Sequence, residues 1–453
     1  MSERRRVLEL FEAQKDFMEE KVNAGIEQNR KGYVNITIKD SDGEVIPDAK
    51  VKISQKSHEF KFGANIFMLD EMESEEKNEA YKKYFADLFN MATLPFYWDA
   101  TEPQPGETRY TKDSKKIYRR PAIDLCIEFC KEHGIEPREH ALAYEHFFPE
   151  WLYDATVPEV KQALEKRFRE ISERYADKIP TIEVTNEMSW SPNKVRTAFY
   201  NEPDYVEWCF KLAEKYFPAN QLAINEATRF VWEDNCRATD KYYAYIEANL
   251  LKGARIDAIG MQFHSFFKRE VEYETTRTLY NPEILYKHMD LYSNFGKPLQ
   301  VTEVTIPAYA WESEDEEIQA DIIEKLYSIW FSHPNMEQII YWNLVDGYAH
   351  LWDPDPEKIR ASQGNMMLGE NYYHGGLFRY DMTPKPSYYR LKDLIQNKWH
   401  TEAQLVSDRN GVARFKGFYG AYDIEVEYQG KKVCKNINFF KKGSNRFEVR
   451  VEV

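Results

Sequence analysis

No stretch of this chain approaches the ~18 consecutive apolar residues of a membrane-spanning helix. The first residues, Met1-Ser-Glu-Arg-Arg-Arg-Val-Leu-Glu, carry positive charge but lack the unbroken apolar run of a secretory leader. Cysteine is scarce: there are five, at positions 126, 130, 209, 236 and 434. An odd, scattered set does not make a disulfide framework and suits a reducing compartment. The expected location is the cytoplasm, or outside the cell if a leader has been removed. Positive charge is also in deficit. Sixty-one Lys plus Arg stand against 76 Asp plus Glu, a formal charge of −15. That balance argues against nucleic acid and anionic membrane as partners. Metal-ligand spacing is missing too. Glu139-His140 and Glu145-His146 do not make H-E-x-x-H, and Cys126 and Cys130 share a helical face with no further Cys or His to complete a set. No metal and no cofactor is expected.

Aromatic residues are abundant: 27 Phe, 31 Tyr and 10 Trp, 15% of 453 residues. Their rings fill cores, and they also stack on sugar rings. The length suits two or three domains, or one large barrel with appendages.

Residues 5–30 read as a polar amphipathic helix. Val34, Ile36 and Ile38 then alternate with polar residues, Asp40-Ser-Asp-Gly43 supplies a turn, and Val51 and Ile53 alternate again, which reads as strand, turn, strand. From about Thr401 the same period of two returns in 412–418, 422–428 and 447–453, between Gly-containing turns. Between these flanks, eight short apolar segments alternate with eight helical patterns. The strands are expected at 60–67, 91–98, 135–144, 179–187, 221–226, 256–264, 298–306 and 338–345. Gly134, Gly253 and Gly296 fall where helix C-caps belong. Eight strand–helix units predict a (β/α)8 barrel. Neither flank has enough strands to bury two faces alone, so the two together are expected to build one small β-sandwich. The division is a helix at 1–30, sandwich strands at 31–58 and 399–453, and a catalytic barrel at 59–398.

In such barrels the chemistry sits at the C-terminal ends of the strands. Those ends carry His140, Asn186-Glu187, Gln262 with His264, Glu303, and Trp342-Asn343. Two carboxylates among neutral donors and aromatic rings form the equipment of a glycosidase.

The ordered set of motifs resembles glycoside hydrolase family 10, the retaining endo-β-1,4-xylanases. Ile182-Glu-Val-Thr-Asn186-Glu187 is similar to W-D-V-V-N-E and Val301-Thr-Glu303-Val to I-T-E-L. Gly134-Ile-Glu-Pro-Arg138-Glu-His140 is similar to G-I-x-x-R-G-H, Ile259-Gly-Met-Gln262-Phe-His264 to I-G-x-Q-x-H, and Trp98-Asp-Ala-Thr-Glu102-Pro to W-D-A-T-E-P. The resemblance spans roughly 60–398. It implies that Glu187 is the acid/base, Glu303 the nucleophile and His264 the group that orients Glu303. It further implies that Asn186 binds the sugar 2-hydroxyl, and that Gln262, His140, Trp342 and Trp352 line subsites for xylan or xylo-oligosaccharide. Three departures stand out. Leu94-Pro95-Phe96-Tyr97 replaces the charged and amide glycone contacts of P-E-N-E-M-K, Glu145 stands for a histidine, and Thr305 stands for an aspartate. They touch sugar specificity and leave the catalytic pair intact, so a preference for decorated or unusual glycans, or poor affinity for short unsubstituted xylo-oligosaccharides, is expected. Two other readings are a related β-glycosidase acting on another β-linked glycan and a non-catalytic carbohydrate-binding barrel. The flanking Ile36–Val51 and Asn410–Tyr422 segments resemble pieces of transthyretin-like or carboxypeptidase-regulatory-like sandwiches.

Overall fold

The structure is a computed structural model that describes residues 3–190, 197–233, 236–352, 356–362 and 364–452. Among the described residues, fifteen strands form three sheets. The flanks supply β1 (Lys31–Lys39), β2 (Lys50–His58), β11 (Glu402–Val406), β12 (Val412–Phe418), β13 (Gly420–Tyr428), β14 (Lys431–Phe439) and β15 (Arg446–Arg450). The centre supplies β3 (Lys61–Asn65), β4 (Met91–Pro95), β5 (Glu136–His140), β6 (Thr181–Asn186), β7 (Gln221–Glu226), β8 (Ala258–His264), β9 (Leu299–Thr305) and β10 (Met336–Tyr341).

Strands β3 to β10 close a barrel with every neighbouring pair parallel. Parallel strands need crossovers, and helices on the outside supply them. The expected strands all occur, with the predicted segments reaching past several of the observed ends. The helix Ile123–His133 stops where Gly134 takes φ 65°, the left-handed cap a side chain would strain. The most enclosed helix, Asp315–Ser332, buries residues on most of its circumference.

That enclosure comes from the N-terminal segment. The expected single helix is instead a 3-10 turn, Glu3–Leu8, followed by helices Glu9–Ala13 and Lys15–Asn29. Two buried arginines fix it. Arg4 pairs with Glu272 and Asp315. Arg30 donates to the carbonyls of Phe331, His333 and Met336, and burial pushes its guanidinium down to about 9. At Gly25 an added Cβ would lie 2.6 Å from the Ser332 carbonyl oxygen, so glycine sets this close helix approach.

Residues 31–57 do run strand, turn, strand, but not as a hairpin. β1 and β2 do not pair with each other. β1 lies between β12 and β15, while β2 lies between β11 and β13, with β14 beyond. The ten residues between the strands cross from one sheet to the other. The inner faces meet in one core, in which Val34, Ile36, Val51 and Ile53 pack with Phe415, Tyr422, Ile424 and Val449. Period-two patterning says which side chains turn inward but does not choose the strand beside them. Among the described residues, no helix is long and apolar enough to cross a membrane.

Removing residues 401–453 would strip β1 and β2 of every neighbour. The truncated chain is expected to melt more than about 10 °C lower or to aggregate. Unchanged melting, with hydrogen-exchange protection retained across 31–58, would contradict a shared core.

Candidate active site

The C-terminal strand ends open into a cavity of about 700 Å³. His140, Asn186, Glu187, Gln262, His264, Glu303, Trp342 and Trp352 all line it. Trp342 is 5% exposed and packs edge-on to His140 and Phe67, so it is a wall of the cavity and part of the barrel packing at once. Trp352 is 61% exposed, at the cavity's open side.

Glu303 is held from two sides. His264 Nε2 lies 3.0 Å from Oε2, and Asn225 Nδ2 donates to Oε1 at 3.1 Å. His264 is aimed by its other nitrogen, which lies 3.0 Å from the Thr305 hydroxyl. A hydroxyl at this position orients the ring without adding a negative charge. Asn225 is aimed by Thr302 Oγ1, which donates to its Oδ1 at 2.8 Å. It has room because residue 260 is glycine, where a Cβ would stand 2.5 Å from Asn225 Oδ1.

Glu187 follows β6 in the left-handed region, φ 55°, and its N–H donates to the Asn225 carbonyl. A non-glycine residue held there stores about 1–3 kcal/mol. Gln262 Nε2 donates to Glu187 Oε1 at 3.0 Å and to Asn186 Oδ1 at 3.2 Å, and Tyr144 hydrogen-bonds to the same carboxyl. Burial raises the Glu187 pKa above the ordinary carboxylic range, and the nearby Glu303 charge raises it further.

A third acid completes the network. Glu183, fully buried, accepts from Asn225 at 3.2 Å and contacts His140 Nδ1 at 2.8 Å and Arg138 Nη2 at 2.5 Å. Burial alone would raise Glu183, but His140 and Arg138 outweigh it and hold the carboxyl below its usual range. The same contact raises His140 despite its burial. Tyr97 closes the line, its hydroxyl 3.0 Å from His140 Nε2. Among the described residues His140, Glu183 and Glu303 each bring a ligand atom within 4.8 Å of the others, and the hydrogen bonds above already engage them.

Sequence reasoning missed Tyr97, Tyr144, Glu183, Asn225 and Glu370 as lining or supporting residues. Asn225 was within reach, because β7 ends in Asn225-Glu226 and the strand-end rule applies to it as to its neighbours. Glu183 was quoted in a motif but carried no role. Glu370 comes from a loop far along the chain and hydrogen-bonds to Asn343 Nδ2 at 2.6 Å, a contact no local pattern announces. Glu226 is fully buried and accepts from the Ser189 and Ala227 N–H groups, and burial pushes it up to about 7.

Fold and site together define a (β/α)8 barrel with paired carboxyl groups at its C-terminal mouth, the layout of a barrel glycosidase. Residues 53–394 match the glycosyl hydrolase family 10 model, and the chain belongs to that family. It is 25% identical over 420 residues to the anti-sigma-I factor RsgI6 of Acetivibrio thermocellus, covering 91% of this chain and 47% of that protein. It is 24% identical over 440 residues to endo-1,4-beta-xylanase 2 of Arabidopsis thaliana, covering 94% and 35%. The chain thus spans less than half the length of these two relatives. Its fold is similar to that of xylanase 10B from Thermotoga petrophila in complex with xylobiose, with a TM-score of 0.58, 21% identity, and coverage of 75% of this chain and 95% of that one.

Two expectations follow. Gly260→Ala should push Asn225 off Glu303 and, if Glu303 is a reacting group, lower kcat about 100-fold; because the Cβ would also stand 2.9 Å from the Ile224 carbonyl oxygen, the melting temperature should fall too, as measured by steady-state kinetics and thermal unfolding. Glu226 binds a proton in the fold between its ordinary pKa and about 7, so it makes stability fall as pH rises through that window. Glu226→Gln should flatten that slope, read from urea unfolding at pH 5 and pH 8.

Proposed function

We propose that this chain is a retaining β-glycosidase that cleaves β-1,4-xylosidic bonds in xylan or xylo-oligosaccharides, with Glu187 as acid/base and Glu303 as nucleophile. The observation that carries this is the unequal treatment of two adjacent carboxyl groups. Glu187 is pushed toward its protonated form, while the Glu303 carboxyl is gripped on both oxygens, by Asn225 and by His264. Protonated Glu187 gives its proton to the leaving glycosidic oxygen as Glu303 attacks the anomeric carbon. Ionised Glu187 then takes a proton from water, which attacks the glycosyl–Glu303 ester and frees the nucleophile. His264 and Asn225 hold the Glu303 oxygens in place throughout. Asn186, Gln262 and His140 offer donors and acceptors to sugar hydroxyls, and Trp342 and Trp352 offer ring faces. The family and the printed activity of the Arabidopsis relative support xylan as the backbone. In the same reading the two-sheet sandwich made by both flanks is transthyretin-like, supported by the segments that resemble that class and by the core they share.

Glu303→Gln should lose several orders of magnitude in kcat on every substrate. Glu187→Ala should be crippled on xylan yet form the intermediate from aryl xylosides and then stall. Added azide should restore turnover and yield a β-glycosyl azide, detected by mass spectrometry. Equal losses on aryl and natural substrates without azide rescue would overturn the assignment of Glu187. Inactivity of the wild-type chain on xylan and its oligosaccharides would overturn the proposed reaction.

A further inference from the structure

Two arginines that the proposed chemistry does not use line the same cavity. Arg119 and Arg120 are 4% and 8% exposed, and among the described residues neither forms an ion pair. Most buried guanidinium groups elsewhere in the chain meet a carboxylate or several acceptors, although Arg138, whose charge faces Glu183, also keeps nitrogens without a hydrogen bond. Arg4 and Arg138 meet carboxylates, Arg30 and Arg109 each donate to three carbonyls, and Arg167 donates to three carbonyls and a hydroxyl. Arg120 has one hydrogen bond, from Nη1 to the Arg119 carbonyl at 2.9 Å. Arg119 Nη1 donates to the Tyr348 carbonyl, and its buried Nε has no partner. Burying such donors unmet costs about 1–3 kcal/mol each or more, which a ligand acceptor would offset.

The surroundings hold the pair in place and leave it positive. The Arg120 guanidinium carbon stands 3.9 Å from the Tyr97 ring centroid and 5.1 Å from that of Phe147. Stacking on a ring face fixes the plane of the guanidinium and leaves its in-plane N–H groups for a ligand. Burial pushes Arg120 down to about 10, against the opposing pull of Tyr97 and Asp99. His350 is held far below its ordinary value, by burial first and then by the charges of Arg120 and Arg119. The carboxyl of Glu370 acts on Arg119 but is itself raised by burial, which weakens its compensation. Tyr97 belongs to the Leu94–Tyr97 segment, where the family pattern has neutral and charged contacts to glycone sugars.

We propose that Arg119 and Arg120 form a subsite for the carboxylate of a uronic acid carried by the glycan. A planar guanidinium pairs with a carboxylate through two parallel N–H···O bonds, and such charge-assisted bonds gain most where water is excluded. The carrier is a sugar because the cavity also offers the amides of Asn186 and Gln262 and the rings of Trp342 and Trp352, beside the proposed reacting pair Glu187 and Glu303. The glycan backbone rests on the function proposed above, whereas the carboxylate preference rests on the two arginines.

The test is calorimetric titration of the full chain carrying Glu303→Gln, which blocks turnover. The probes are a xylo-oligosaccharide bearing one glucuronic acid and the same molecule with that carboxyl reduced to an alcohol. The acid is expected to bind at least about 10-fold tighter, with the ratio shrinking as salt is added. Adding Arg120→Gln should bring the ratio to about one, and Arg120→Lys should restore part of it. If Arg120→Gln does not fold, the acid-to-alcohol ratio in its parent decides alone. Equal binding of the two probes overturns the subsite. Turnover by the wild-type chain is scored separately. An acid preference without hydrolysis overturns the glycosidase reading alone, hydrolysis with equal binding overturns the subsite alone, and no binding of either probe overturns both.

Discussion

Three carboxyl groups, Glu183, Glu187 and Glu303, share one enclosed barrel mouth, and their mutual repulsion is the constraint around which the site is arranged. Water cannot dissipate their charge there, so each must be compensated or protonated. Glu183 has Arg138 and His140. Glu303 has His264 and Asn225. Glu187 has two neutral donors, Gln262 and Tyr144, and is the one displaced toward its protonated form. Asn225 touches both Glu183 and Glu303, so it couples the compensated acid to the proposed nucleophile. The division of roles in the proposed reaction thus follows the different partners of the carboxyl groups.

The barrel supplies the rigidity this arrangement demands. Glu183, Asn225 and Glu303 lie on the strands and Glu187 on the residue after β6, and the strands are locked to two neighbours all round. The glycine at 260 shows how narrowly backbone and side chain are fitted, since one methyl group there would occupy the place of Asn225. Outside the barrel, the N-terminal segment covers helix Asp315–Ser332 and is fastened at both ends by buried arginines. Arg30 is followed directly by β1, so the same anchor joins the sandwich to the barrel wall.

The departures from the family pattern form one region. Tyr97 replaces a polar glycone contact, reaches His140, and carries Arg120 on its ring face. Thr305 replaces an aspartate behind His264. In the proposed reading the reacting groups keep their partners, while the surface that meets the rest of the glycan carries the aromatic face of Tyr97 with Arg119 and Arg120 beside it. Specificity can therefore change without disturbing the hydrogen-bond partners of the reacting pair.

Local pattern made much of this legible. Eight apolar segments of strand length, spaced by amphipathic helices, announce the barrel, because burial on both faces leaves continuous apolar runs and each crossover needs a helix. The strand-end rule, with the family resemblance, brought His140, Asn186, Glu187, Gln262, His264, Glu303, Trp342 and Trp352 to one cavity, where the structure also places them. Other features needed the third dimension. Alternation in 31–57 fixed the inward faces of β1 and β2 but not their partners, which lie about 350 to 410 residues away and divide the two strands between sheets. The service of Glu183 and Asn225 to Glu303, the reach of Glu370 into the cavity, and the meeting of Arg119 and Arg120 with Tyr97 and His350 depend on contacts between distant segments. Periodicity is a property of neighbours along the chain, whereas a pKa or an unmet donor is a property of neighbours in space, and only the closed barrel determines which those are.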